Sequence, residues 1–417
     1  VGSVAFFLST SNKRSNATPA VNTHATAEVL AHASATASFR ATATAATNAY
    51  NAATASGIML GFNAQHTRVN PYEQALTSAN VAMLAQAWKA NTGGSIGSVP
   101  TVANGIVYIN SNDLNSHDGK MYAINAGTGK VLWNKPIGSY DFGCAPTVAN
   151  GVVYMGGFDH KLYALDSKTG ATIWTALTGG RIGSSPTLAN GVIYVGSDDG
   201  TLYAFDAAAG TMRWSVPTGS SIRSSPAVAN GVVYAGSDDN NLYAIKADTG
   251  TILWKVLTGN KIRSSPAVAN GIVYVGSEDG TLYAFDAATG KLRWSFLSGG
   301  KIDSSPAIAN GVVYVGSEDR KLYAFDAATG KLRWSFLSGD KIDSSPAIAN
   351  GVLYIGSNDH KLYAFNASGC TPASCPPLWT ASTGGPVSAS PTVANGFVYI
   401  GSNDGNLYAF HLTGVAP

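Results

Sequence analysis

From about Leu84 onward the chain alternates short apolar runs with turn residues, and the pattern returns every forty residues. Lys261 to Gly300 carries it in near-pure form, KIRSSPAVANGIVYVGSEDGTLYAFDAATGKLRWSFLSGG. A period of that size is the mark of a solenoid, propeller or array. Four runs within the unit, SPAVA, IVYVGS, TLYAFD and KLRWSFL, are rich in Val, Ile, Tyr, Phe and Trp, and they predict four antiparallel strands, A to D. Asn270-Gly271 between A and B suits a two-residue type I′ hairpin, whose central positions both need positive φ. Asp286 to Gly290 between C and D is an Asp-initiated turn that ends in Gly, and Ser277-Glu278-Asp279-Gly280 joins B to C. Apolar residues on both strand faces imply a sheet held between two neighbouring sheets. That predicts the blade of a β-propeller, since a solenoid uses fewer strands per repeat.

Two markers count the blades. The strand-A proline recurs as Pro100, Pro146, Pro186, Pro226, Pro266, Pro306, Pro346 and Pro391. The strand-D tryptophan recurs as Trp133, Trp174, Trp214, Trp254, Trp294, Trp334 and Trp379, and the missing eighth is Trp88, upstream of the first proline. The prediction is an all-β, eight-bladed propeller of four-stranded antiparallel blades. The last blade takes strands A to C from Ser390 to His411 and its outer strand from the N-terminal side, a closure that removes two free sheet edges.

Ahead of the ring lies a different material. Residues 17–56 hold sixteen Ala and eight Thr, and from Ala25 to Ala45 every odd position is apolar, Ala except for Val29 and Phe39. A two-residue period predicts a strand, whereas Ala is the best helix former, so period and propensity disagree. A strand that long would run about 70 Å at roughly 3.3 Å per residue and makes sense only paired with other chains. The alternative is a Thr/Ser-rich stalk. Residues 1–16 contain Val4-Ala5-Phe6-Phe7-Leu8 and then Lys13-Arg14, short of the roughly 20 residues that cross a bilayer. They read as the remnant of a membrane helix or secretion signal, or as a loose tail. Residues 57–83 form a joint in which Thr77 to Asn80 suggests a short turn or helix; residues 84–412 are the propeller and 413–417 a tail.

The run Ala284-Phe285-Asp286-Ala287-Ala288-Thr289-Gly290-Lys291-Leu292-Arg293-Trp294 resembles the tryptophan-docking motif of the PQQ-like repeat family. That family includes quinoprotein alcohol dehydrogenases and the eight-bladed lipoprotein that assists outer-membrane barrel assembly. Asn70-Pro71-Tyr72-Glu73, followed by Ser78 to Val81 and Trp88, is similar to the segment that enters the quinoprotein propeller. The resemblance spans roughly residues 66–412 and implies the fold, with the eight tryptophans in docking roles. It says less about activity, because the repeat is architectural.

Charged residues make up only 12% of the chain and the net charge is +2, so nothing points to nucleic acid or an anionic membrane surface. Cys370 and Cys375 lie in an insertion, GCTPASCPP, and are expected to close a small loop as a disulfide, which favours an extracellular or cell-surface setting. Cys144 replaces the usual Ser before a strand-A proline and is expected to be a small buried residue.

Where the copies differ, candidate chemistry appears. The D-to-A and B-to-C loops share one face of the disc. Three residues before each strand-A proline the series includes Arg223, Arg263, Asp303 and Asp343; two residues earlier come Arg181, Lys261, Lys301 and Lys341. The B-to-C turns carry Asp198-Asp199, Asp238-Asp239, Glu278-Asp279 and Glu318-Asp319. These charges either pair locally as solvated loops or form a binding site for a polar ligand at the channel mouth. Tyr140 and Phe142 put aromatics on the same face. Asp113, Asn115 and Asp118 in the long B-to-C loop of blade 1 form a weak oxygen-donor candidate for Ca²⁺, outside the EF-hand pattern.

A quinoprotein dehydrogenase implies PQQ in the channel, Ca²⁺ held by Glu and Asn, a catalytic Asp and often a vicinal Cys pair. The chain has no Cys-Cys pair and lacks long blade insertions. Asp303 or Asp343 could stand in for a base, but neither adjoins an obvious metal cage, and no Gly-x-Ser-x-Gly, Walker or His-Glu-x-x-His motif occurs. AFDAATGKLRWSFLSG occurs twice, from Ala284 and from Ala324, and near-identical blades cannot each supply a different catalytic group. The expectation is therefore a non-enzymatic extracellular propeller without cofactor, a binding or structural module displayed on or assembled through residues 17–56, as in an extracellular fibre. Its partner would be itself or another extracellular protein or polymer, with membrane contact only through a segment upstream of Val1. The alternatives are a ligand-sensing ectodomain of a membrane protein and a dehydrogenase using PQQ with Ca²⁺.

Overall fold

The computed structural model describes residues 59–112, 119–138, 144–369 and 375–413. The pure repeat folds as blade 5, with strand A at Ala267–Ala269, B at Ile272–Gly276, C at Thr281–Asp286 and D at Leu292–Leu297. They hydrogen-bond in the order A-B-C-D, and seven further sheets repeat that order. Asn270 and Gly271 take φ of 51° and 73°, as the tight A–B hairpin requires. The C–D register slips between Ala284↔Trp294 and Phe285↔Leu292. The bulge makes Arg293 the extra residue, and its guanidinium lies 2.6 Å from Asp286.

Ring closure follows the tryptophan count. Leu84–Asn91 pairs antiparallel with Asn406–Leu412, placing Trp88 opposite Ala409 and completing blade 8. Before it, Val81–Met83 forms one 3₁₀ turn. At six of the eight junctions a blade docks on the next by a repeated paired contact. Trp294 Nε1 donates to Ala327 O at 2.9 Å, and Tyr274 Oη donates to the same carbonyl at 3.0 Å. The contact recurs from Trp88 and Tyr399 onto Ala126 O across the closure. Two donors use both lone pairs of one carbonyl. Apolar side chains fill the space between sheets, as where Tyr274, Leu282 and Trp294 meet Ile302, Val313 and Phe325.

The Ser-Ser-Pro triplet explains the inner wall. The first serine staples A to B: Ser264 Oγ donates to Gly276 O and accepts from Gly276 N, both at 2.8 Å. The second joins blades: Ser225 N donates to Ser265 Oγ at 3.1 Å, and Ser265 N to Ser305 Oγ at 2.9 Å. This relay runs from Ala145 to Ser390 and satisfies buried amides that strand A cannot pair within its own sheet.

The joint is more than a linker. Residues from Met59 onward enter the channel and climb its wall. Ala64 O accepts from Val228 N at 2.7 Å, Gln65 O from Val268 N at 2.9 Å, Thr67 O from Ile308 N at 3.0 Å and Arg68 O from Ile348 N at 2.9 Å. Val69–Asn70 then pairs parallel with Ile348–Ala349, giving blade 7 a fifth, innermost strand where four were expected. Asn70 Nδ2 reaches blade 8, donating to Val393 O at 2.8 Å. The segment thus satisfies inner-strand amides of four successive blades. The membrane-remnant, stalk and assembly expectations for residues 1–56 lie outside the described residues.

Candidate functional site

At the channel mouth the residue opening each B-to-C turn meets the D-to-A loop of an adjoining blade. Arg223 Nε lies 3.1 Å from Asp198 Oδ1. Arg263 sits 3.4 Å from Asp238 and 2.9 Å from Glu278. Lys261 reaches Asp238 at 3.5 Å, Lys301 reaches Glu278 at 3.1 Å and Lys341 reaches Glu318 at 3.0 Å. The side chains of Asp238 and Glu278 are 7% exposed, whereas Lys261, Lys301 and Lys341 are 41%, 45% and 48% exposed. The acids are the buried layer of these pairs. The exposed lysines contribute little stability, roughly 0–1 kcal/mol each.

The paired acids of the B-to-C turns have separate jobs. Asp239 is structural: its Oδ2 accepts from Tyr243 Oη at 2.6 Å and from Gly219 N at 2.8 Å, and its Oδ1 from Asn241 N at 2.9 Å. Asp279 accepts from Tyr283 and Gly259 in the same way. Only the first member of each pair faces the mouth.

Asp303 and Asp343 differ from the other acids. Burial, then the neighbouring Glu278 charge, pushes the Asp303 carboxyl up to about 6, against the pull of Arg263. Its Oδ1 is buried without a hydrogen-bond partner. Burial also raises Asp343, which accepts from Asn358 Nδ2 at 2.7 Å. Asn358 Oδ1 is left buried and unpartnered. Asp303 is therefore an acid that titrates close to neutrality, the property of a general base.

The other predicted site residues part company here. Tyr140, Phe142, Asp113, Asn115 and Asp118 lie outside the described residues. Cys144 is buried, as expected, its Sγ donating to Ser184 O at 3.2 Å. Cys375 is disulfide-bonded, while its expected partner Cys370 lies outside the described residues. Sequence reasoning missed His66 and Arg68, which the channel buries completely. Their signal was two basic residues in a joint whose other charged residue is Glu73.

Whether Ca²⁺ with an anionic quinone suits this mouth can be read from its donors. Carboxylate and amide oxygens are what Ca²⁺ takes, and Asp303 Oδ1 and Asn358 Oδ1 are buried oxygens lacking partners. Asp198, Asp238, Glu278, Asp303, Glu318 and Asp343 stand among Arg181, Arg223, Arg263, Lys261, Lys301 and Lys341, so the mouth carries both signs in equal number. Among the described residues no three His, Cys, Asp or Glu side chains converge as a metal cage. Asp343 and Asn358 are adjacent donors of the right kind, 2.7 Å apart, and Asp303 offers a free carboxylate oxygen from the neighbouring D-to-A loop.

A profile of the family described as outer membrane protein assembly factor BamB matches residues 84–180, 159–265, 240–370 and 338–416. The dehydrogenase subunit of a quinone alcohol dehydrogenase from Gluconobacter oxydans is 31% identical over 130 residues, a stretch covering 28% of this chain and 16% of that relative. Among solved structures, the quinohemoprotein alcohol dehydrogenase of Comamonas testosteroni superposes with a TM-score of 0.72 at 18% identity, covering 86% of this chain and 81% of the other. BamB from Moraxella catarrhalis gives 0.64 at 20% identity, covering 79% and 99%. At those identities the structures speak for the fold alone. The expectation that the chain is no enzyme is overturned by the curated relative, itself a dehydrogenase subunit. The missing Cys pair and the near-identical blades were too weak a ground for it, because one acid at one mouth is enough for a base.

Proposed function

This chain belongs to the PQQ-like repeat family of the assembly factor BamB, and on that premise we propose that it is a quinone-dependent dehydrogenase propeller oxidising an alcohol at its channel mouth. The observation that carries the reading is Asp303, a buried mouth carboxyl held near neutrality with an unpartnered Oδ1. Asp343 and Asn358 would hold Ca²⁺, leaving Asp303 free as the base, and the half-exposed Lys301 and Lys341 would meet the cofactor's carboxylates. PQQ, when bound, supplies the two-electron acceptor. Asp303 Oδ1 takes the hydroxyl proton of the alcohol, and the neighbouring Glu278 charge strengthens its hold on that proton. The similarity of a short stretch to a quinone alcohol dehydrogenase subunit supports the class of reaction. The disulfide at Cys375 supports an extracytoplasmic setting.

The test is titration of PQQ into the purified protein with and without Ca²⁺, followed by tryptophan quenching and by reduction of an artificial dye with a short primary alcohol. Ca²⁺-dependent binding and dye reduction are expected, the latter lost in Asp303→Asn. Failure to bind PQQ in the presence of Ca²⁺ would sink the reading.

A further inference from the structure

Arg68 is 5% exposed and lies inside the channel against the inner strands of blades 7, 8 and 1, carried there by the segment that climbs the wall. Its Nε has no hydrogen-bond partner, and among the described residues no carboxylate lies within ion-pair distance of it. Burial alone pulls its guanidinium down to about 9, so it remains charged at neutral pH. Its neighbour His66 cannot offset that charge. The ring is fully buried with Nε2 3.1 Å from Thr187 Oγ1, and burial, then the Arg68 charge, drops it to about 3, which leaves it neutral.

A buried cation without a counter-charge is costly, and such groups are found paired. Beside Arg68 is a cavity of about 40 Å³, lined by Asn70, Pro100, Thr101, Ile348 and Thr392 among others. That is room for one or two water-sized species, too little for an organic acid with several carboxylates. We propose that this cavity is a binding site for a small monovalent anion of halide size, which neutralises Arg68 inside the channel. The site is separate from the mouth and does not rest on the dehydrogenase reading. It locks the plug in place, since Arg68 O also holds the Ile348 amide.

The experiment uses chloride and gluconate at matched ionic strength, gluconate being too large for the cavity. For one site, each tenfold rise in chloride above its Kd should raise the folding equilibrium constant tenfold, and gluconate should give no such slope. Arg68→Met should abolish the chloride dependence, and Arg68→Lys, which keeps the charge, should retain it in weaker form. A crystal grown in bromide should show an anomalous peak against the guanidinium, a readout needing no variant. Equal stability in chloride and gluconate, an Arg68→Met protein with the full chloride slope, or no bromide peak beside Arg68 would each overturn the proposal.

Discussion

Trp294 lies across Gly330 of the following blade so closely that a Cβ there would come 2.6 Å from the indole Cδ2. Gly330 also has a φ of +71°, where a side chain is strained in its own right. Gly330→Ala is therefore expected to destabilise the fold by about 2–4 kcal/mol, adding backbone strain to overpacking. The urea midpoint measures it. Gly311→Ala, where a Cβ meets nothing within 4 Å at φ +72°, isolates the backbone share and should cost clearly less.

Tyr354 breaks the docking rule that its counterparts obey. Tyr274 donates to Ala327 O, but Tyr354 Oη is fully buried and unpartnered. The carbonyl it would use belongs to a C–D turn, and blade 8 has none because its outer strand comes from the other end of the chain. Tyr354→Phe should be neutral or slightly stabilising, while Tyr274→Phe should cost about 0.5–1.5 kcal/mol, the docking carbonyl keeping Trp294 as its other donor. Thermal unfolding of the two variants decides the matter.

Ser265 receives the amide of Ser225 and is 6% exposed. Ser265→Ala leaves that amide buried without an acceptor, at an expected cost of about 1–3 kcal/mol. Hydrogen exchange should localise the effect to the Ser225 amide, with distant blades unchanged. A uniform rise in exchange across the ring would contradict the relay.

The Asp303 carboxyl titrates at about 6 in the fold against an ordinary value of 3.8. The folded state thus binds the proton more tightly than the unfolded one, and this group's contribution falls as pH rises from about 4 to about 6. Asp303→Asn should be more stable than the parent at pH 7, by about 1–3 kcal/mol, and the difference should vanish below about pH 4. Denaturation series at the two pH values check the sign. Bound Ca²⁺ would favour the ionised form and shrink the gap at pH 7.

Blade number, strand order, hairpin type and closure by Trp88 were determined by the sequence itself. Each of these depends on contacts that recur every forty residues, so a period and a few turn residues such as Asn270-Gly271 suffice to encode them. The partners of the mouth charges were partly legible, because Arg223, Arg263 and the acidic turns stand at fixed offsets in adjacent repeats. Only the tertiary structure decided that Asp239 braces its own turn while Asp238 faces the mouth, since neighbours in sequence point to opposite sides of a turn. The same holds for the axis. Residues 59–70 carry no repeat and bond to strands from Val228 to Val393, so no local pattern could announce that Arg68 ends up buried in the channel with no counter-charge among the described residues.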